Sequence, residues 1–258
     1  MRFAQKLPER GEVRRRGGVW VLGRNLPHFI EERSGFFDKM GFSFGGAVCI
    51  IGERSRNFGM LKGVHMKNIL VIQGGGRARG NTAQLVGSFV RGAEESGHAV
   101  EVVSLLTHEV RGCLGCNACR YGKPCVQKDA FNSIVPRIEA ADCLVFASPL
   151  YFWTVSSRMK AFIERFYCIA REDPDPPLGR YEKYPQKDCA LLMTAADNYF
   201  WTFEQAVSYY QFALVNYIGF HDRGVLLAGG CGDTNGKPQI DRTPHLQRAF
   251  EFGRQLYS

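Results

Sequence analysis

The chain has 258 residues, 45% of them hydrophobic and 12% aromatic, enough to bury a full core, which excludes disorder throughout. Its formal charge of +8 is uneven: residues 1–65 hold 12 Lys and Arg against 6 Asp and Glu, residues 66–258 hold 21 against 19. The globular part is close to neutral, which argues against nucleic acid as a partner, and no apolar run approaches the roughly 20 residues of a membrane span.

Residues 14–16 are all arginine, yet the apolar stretch behind them breaks at Arg24, Asn25, Leu26 and Pro27 with no small-residue cleavage site. The reading is therefore cytoplasmic, where thiols stay reduced. Nine cysteines, four of them between residues 113 and 125, then favour metal ligation or redox chemistry over a disulfide framework.

Residues 1–65 show no sustained period of 2 or 3.6, and regular patterning begins at Met66. Lys62, Gly63, Val64 and His65 can be encoded AAA-GGA-GTN-CAY, which would set a ribosome-binding sequence just before a Met66 start codon. The expectation is that residues 1–65 are translated upstream sequence or a disordered extension, and that 66–258 form one domain. The alternative is a small genuine element that docks through Phe36, Phe37, Phe42 and Phe44.

Residues 67–73 read as a buried parallel strand ending in glycines. Residues 81–96 read as a helix, with Asn81 or Thr82 as cap, Leu85, Val86, Phe89, Val90 and Ala93 at helical spacing, and Gly97 as terminator. An edge strand at 98–105 follows, then a helix at 129–141 with Pro136 inside it and a buried strand at 143–147. Next come a helix at 156–167, a strand at 188–194, a helix at 203–217, a strand at 224–228 and a closing helix at 244–256. Strands alternating with helices imply βαβ units, hence an α/β, doubly wound sheet of five parallel strands flanked by helices. The connection 168–187 is longer than a usual αβ loop and is expected to cross the surface near a site or a partner.

Ligands of such sheets sit beyond the carboxyl ends of the strands, where strand order reverses. The first strand leaves through Gly74, Gly75, Gly76, Arg77, Ala78, Arg79, Gly80, Asn81 and Thr82. Glycines let amide N–H groups converge, the helix N-terminus adds about half a positive charge, and Arg77, Asn81 and Thr82 bring donors, a cradle suited to phosphate. The third strand leaves through Ser148, Pro149, Leu150, Tyr151, Phe152 and Trp153, an aromatic wall suited to a planar heterocycle. No Ser-His-Asp set, paired carboxylates or general base stands out, in keeping with cofactor-driven chemistry.

The Gly-Gly-Gly-Arg-Ala-Arg-Gly-Asn-Thr run resembles the G-S-P-R-x-x-G-N-T phosphate loop of the flavodoxin-like, NAD(P)H-dependent FMN reductase superfamily. The segment from Ser148 to Phe152, with Met159, Lys160, Ala161, Phe162, Ile163, Glu164 and Arg165, resembles its S-P-x-Y…M-K-x-F-x-D-R segment. Between them Cys113, Cys116, Cys119 and Cys125 are similar to the compact cysteine motif of iron–sulfur flavoproteins. The resemblance implies a flavodoxin-like sheet of order 2-1-3-4-5. It implies an FMN phosphate held by Arg77, Gly80, Asn81 and Thr82 beside Gly75 and Gly76, and an isoalloxazine lined by Pro149, Leu150, Tyr151 and Phe152 next to Ser148 and Trp153. Gly75 and Gly76 stand where the family has Ser and Pro, which removes one hydroxyl donor. Residues 195–199 lack the glycines of many third flavin loops.

The implied activity is electron transfer from NAD(P)H, or from a ferredoxin, through FMN to a small acceptor such as a quinone, flavin or nitro compound, by a homodimer or homotetramer. A non-enzymatic electron carrier and a zinc or thiol binding module are the alternatives. The four thiols suit a [4Fe-4S] cluster better than a zinc ribbon, and zinc or an unligated loop with an oxidisable pair stay open.

Overall fold

The computed structural model describes residues 65–119, 123–172, 182–232 and 237–258, so the expectations for residues 1–64 lie outside the described residues. Strand β1 (Asn68–Gln73) leads into helix α1 (Asn81–Glu95) and strand β2 (Ala99–Ser104). Helix α2 (Phe131–Ala140) precedes β3 (Cys143–Pro149), and α3 (Ser157–Glu164) tightens into a 3₁₀ turn at Arg165–Cys168. Two short strands, β4 (Arg171–Glu172) and β5 (Glu182–Lys183), pair antiparallel. Strand β6 (Asp188–Thr194) leads to α4 (Glu204–Tyr210), which widens into a π-helix at Gln211–Ile218, and β7 (His221–Ala228) leads to α5 (His245–Arg254).

The main sheet has the order β2-β1-β3-β6-β7, all pairs parallel, the flavodoxin-like arrangement the sequence implies. Side-chain alternation along β1 divides the core. Ile69 and Val71 face Leu85, Val86, Phe89 and Ala249 of α1 and α5 on one side, while Leu70 and Ile72 face Phe131, Ile134, Met159, Phe162 and Tyr210 on the other. Both faces are covered, which is why β1, β3 and β6 read as continuous apolar runs.

Three departures from the expected elements have local causes. The helix expected at 156–167 starts one residue late because Ser156 is its N-cap, its hydroxyl accepting the Met159 N–H at 3.3 Å. The helix expected at 203–217 is α only to Tyr210. Its π continuation is pinned where the Tyr210 hydroxyl donates to Asp222 at 2.7 Å and the Gln211 amide donates to the same carboxylate at 2.8 Å. Strand β7 is longer than expected and carries one extra residue between Asp222 and Val225, where Gly224 adopts φ +118°.

Helices α1 and α5 meet backbone to backbone. A Cβ on Gly92 would collide with the Phe250 carbonyl, and one on Gly253 with the Phe89 carbonyl, so both positions require glycine.

The parallel register brings the exits of β1, β3 and β6 to one rim. There the Gly74 N–H donates to the Ala147 carbonyl at 2.7 Å and the Leu150 N–H to the Thr194 carbonyl at 2.7 Å. Strand order reverses between β1 and β3 at this rim.

Candidate functional site

A cavity of about 290 Å³ opens on the rim, lined by Gly75, Gly76, Arg77, Gly80, Asn81 and Thr82 from the first loop and Pro149, Leu150 and Tyr151 from the second. Thr194, Ala195, Ala196 and Cys231 complete it. Helix α1 has Gly80 as its N-cap and no side-chain acceptor there, so its first-turn N–H groups are left for a ligand.

The Asn81 side chain, read from sequence as a phosphate donor, is committed elsewhere. Its amide donates to the Cys231 carbonyl at 2.7 Å, and its oxygen accepts the N–H groups of Gln239 at 3.0 Å and Ile240 at 3.2 Å. Asn81 thereby ties the start of α1 to the loop behind β7 while it lines the cavity. The hydroxyls of Thr82 and Thr194 share one hydrogen bond of 2.8 Å, and since each carries one proton, one remains for a ligand oxygen. Gly76 approaches Arg158, whose guanidinium would lie 3.3 Å from a Cβ there, a cation the sequence pattern did not single out.

Ser148 lies beneath the wall. Its hydroxyl accepts the Ser156 N–H at 2.8 Å and donates to the Pro149 carbonyl at 2.8 Å, bracing the loop against α3. Ser156 in turn donates to the Gly74 carbonyl at 2.8 Å, which locks the first loop to the second. Phe152 and Trp153 form the tip of a tight turn between Tyr151 and Thr154, both at positive φ (47° and 59°). Two bulky residues in this region cost about 1–2 kcal/mol each, offset in part by the paired Tyr151–Thr154 backbone bonds of 3.0 and 3.2 Å. Phe152 is 94% exposed and stands clear of the cavity, while Trp153 packs against Trp201 at 5.9 Å and Trp201 stacks on Tyr199 at 5.5 Å.

Cys231, for which the sequence shows no partner, lines the cavity floor as a buried thiol pushed up to about 11 by burial, and it donates to the Ala228 carbonyl at 3.4 Å. The next loop is closed by Gly229, where a Cβ would collide with the Asn198 side chain, and by His245, whose Nε2 lies 2.8 Å from the Gly229 carbonyl.

Beside this site the loop behind β2 forms a second cavity of about 210 Å³, lined by Cys113, Cys116, Cys119 and Cys125 and by a fifth cysteine, Cys168, from the end of the 3₁₀ turn. Cys113 and Cys116 are exposed, Cys119 and Cys168 buried. The loop turns through Gly115 (φ 64°) and Asn117 (φ 57°), and the Cys113 N–H donates to Glu164 at 3.2 Å. Burial raises the Cys125 thiol, but the Gln127 backbone and the Arg165 guanidinium outweigh it and hold the thiol below its ordinary value. Burial, reinforced by Cys119 and Cys125, pushes the Cys168 thiol well up. Among the described residues, no three Cys, His, Asp or Glu side chains are already gathered around one point that could hold a single ion.

The sequence matches the family model described as NADPH-dependent FMN reductase over residues 67–198, which contain both flavin-loop motifs and the cysteine loop. The chain belongs to the NADPH-dependent FMN reductase family. Its relatives within reach of sequence include an iron–sulfur flavoprotein of Archaeoglobus fulgidus, 33% identical over 36% of this chain and 43% of that protein. Another is an iron–sulfur flavoprotein of Methanocaldococcus jannaschii, 33% identical over 38% of this chain and 50% of that protein. The match thus spans about half the length of these curated relatives. The fold is shared with an NAD(P)H:quinone oxidoreductase from Methanothermobacter marburgensis, with a TM-score of 0.60 at 19% identity over 75% of this chain and 97% of that one.

Proposed function

We propose that this chain is an FMN-dependent oxidoreductase that passes electrons from NAD(P)H to a small acceptor such as a quinone, a flavin or a nitro compound. The observation that carries this is the rim cavity, where an uncapped helix N-terminus, a threonine pair and an apolar wall converge within the family's matched segment. The residues fit FMN. First-turn N–H groups of α1 and the Thr82 and Thr194 hydroxyls would hold the phosphate, with Arg77 and Arg158 adding charge. Pro149, Leu150 and Tyr151 would line one side of the ring system, and Ala195 and Ala196 the other. FMN, when bound, supplies the hydride and electron chemistry. The described lining includes neither carboxylate nor histidine, and its one thiol, Cys231, stays protonated. The protein's part is therefore to bind, orient and keep water from the wall.

The same reading places a [4Fe-4S] cluster in the cysteine cavity. Five thiols line it, and a buried Arg165 nitrogen there lacks a partner, a donor set suited to anionic sulfur. A single zinc ion would need four ligands drawn to about 2.3 Å around one point, whereas a cluster accepts sulfurs set farther apart. Arg111 and Lys123 flank the loop and would favour an acidic carrier such as ferredoxin as an alternative donor. Phe152 and Phe200, 94% and 93% exposed, are the faces a homodimer or homotetramer would cover. A cytoplasmic setting keeps the thiols reduced, and among the described residues no helix is long and apolar enough to cross a membrane.

The test is a visible spectrum of protein purified without air and supplied with FMN. Flavin bands that bleach on adding NADPH and return on adding a quinone are expected. Failure to retain FMN overturns the reading, and retained flavin that NADPH cannot bleach indicates a carrier instead.

A further inference from the structure

Arg165 sits at the junction of α3 and its 3₁₀ turn with 1% of its side chain exposed. Its Nη1 donates to Asp129 at 2.6 Å and to the Arg111 carbonyl at 2.9 Å, and its Nη2 donates to Asp129 at 3.2 Å. Asp129 is itself fixed, accepting the N–H groups of Arg111 at 3.0 Å and Phe131 at 3.1 Å. The fork is thus held at its tips, and the ring of Phe131 lies 5.0 Å from the guanidinium carbon, which fixes its plane.

Of the five N–H groups the second on Nη2 and the one on Nε remain, and Nε is the nitrogen engaged by nothing. Among the described residues it is the buried side-chain nitrogen that lacks a hydrogen-bond partner. Arg165 lines the cysteine cavity, and the guanidinium lies against the Cys125 thiol. The Gln127 amide on this wall is already engaged with the Gly112 carbonyl at 3.0 Å. A cationic N–H held rigidly in a buried position and left unpaired is costly unless an acceptor arrives. The side chains around it offer sulfur: Cys119, Cys125 and Cys168.

We propose that Arg165 is a positioning residue of the iron–sulfur site, its Nε–H donating a hydrogen bond to a sulfur of the centre held in this cavity, either the Cys125 thiolate or a bridging sulfide. This rests on the cluster reading above. The sequence motif carries Arg165 in the flavin segment, but the fold turns its side chain toward the cysteines. A hydrogen bond to a cluster sulfur draws off negative charge and raises the reduction potential, and outer partners of ligands govern how firmly the metal is held.

The experiment reconstitutes the full chain without air with ferrous iron, sulfide and FMN, and compares wild type with R165M and R165K. Iron and acid-labile sulfide per chain, the midpoint potential followed by electron paramagnetic resonance, and FMN affinity are read together. R165M is expected to hold iron about ten-fold more weakly. R165K restores the charge beside Asp129 without the Nε–H, and is expected to bind FMN as wild type does while its cluster has a lower midpoint. R165K with wild-type iron, sulfide and midpoint overturns the proposal while leaving the cluster reading intact. Wild-type protein that takes up neither iron nor sulfide overturns both. Should both variants unfold, nitrogen-15 labelling of arginine in the wild-type chain decides, because the Arg165 Nε–H resonance must shift or broaden on loading, and an unchanged resonance overturns the proposal.

Discussion

In the rim cavity nearly every polar side chain already has a protein partner, whereas in the cysteine cavity two thiols are exposed and a buried guanidinium nitrogen has none. The first is finished largely by backbone: an open helix end, and loops tied by Asn81, Ser148 and Ser156. The second is joined to α3 by a buried ion pair, Arg165 with Asp129, and by the more exposed Cys113 N–H to Glu164. A cradle made of backbone tolerates change in the side chains that face it, while a loop whose buried fastening is a charged pair is weakest there. The two halves of the rim should therefore respond differently to substitution.

The sharpest way to break that contrast is D129A. It leaves Arg165 buried without its counter-charge, and removing one partner of such a pair costs about 3–5 kcal/mol. Thermal and denaturant unfolding should show the loss. At temperatures where the variant is folded, FMN affinity should stay near that of wild type, because the partners of Asp129 do not line the rim cavity. A parallel collapse of FMN binding would show that the two cavities are one mechanical unit.

N81A attacks the other side. The buried Cys231 carbonyl and Ile240 N–H and the half-buried Gln239 N–H lose their partner, a loss of about 1–3 kcal/mol. FMN affinity should weaken because the α1 N-terminus loses its anchor. N81D separates this from direct phosphate contact. It keeps the acceptor for Gln239 and Ile240, so it should recover part of the stability lost in N81A, as followed by thermal unfolding, while it adds a charge that would repel a phosphate.

Asn81 also marks how far the sequence could be read. The sheet was legible because a strand buried on both faces must be apolar throughout, and β1, β3 and β6 are. The loops were legible because glycines and a helix start after a strand have few other uses. What the residues at that start do was not, since a side chain's partner can lie far along the chain, as Gln239 does from Asn81. Cys168 was missed for the same reason: it follows a helix, and only the fold carries it to Cys119 and Cys125. Its one signal was a cysteine three residues past the Arg165 motif. The contact of α1 with α5 through Gly92 and Gly253 left no periodicity to find. The π-helix and the Gly224 bulge answer to the Asp222 carboxylate, again a long-range cause.

A smaller effect distinguishes the hydroxyl pair from the backbone cradle. T194V removes one of two hydroxyls sharing a 2.8 Å bond and leaves the α1 N–H groups in place. The loss in FMN binding should be about 1 kcal/mol, the net value of one hydrogen bond, read by fluorescence titration. A loss many times larger would mean that the hydroxyls, and not the backbone, form the phosphate site.

The mildest test uses pH, because the two halves of the rim titrate in different windows. His245 braces the loop behind β7, with Nε2 at 2.8 Å from the Gly229 carbonyl and Nδ1 at 3.2 Å from the Arg248 guanidinium. An arginine can only donate, so Nδ1 accepts and the ring is neutral with its proton on Nε2. Burial first, and then the Arg248 charge, hold its pKa below the ordinary histidine value, against the pull of the Gly229 carbonyl. His98 is lowered as well, by burial and then by Lys67. As pH falls below about 6.5, the unfolded chain takes up these protons before the folded one does. The stability these rings contribute is therefore complete above that value and drains away as pH drops toward their folded values. Asp129 behaves alike in sign but in a lower window. Burial raises its carboxyl, yet Arg165 and the Arg111 and Phe131 N–H groups outweigh that and depress it, so its contribution is lost only below about pH 4. Between pH 7 and 5 the unfolding temperature should fall, H245Q should flatten that slope because glutamine keeps a donor for Gly229 and does not titrate, and D129N should leave the slope unchanged. A slope that D129N removes and H245Q does not would place the sensitive brace under the cysteines instead of under the flavin loops.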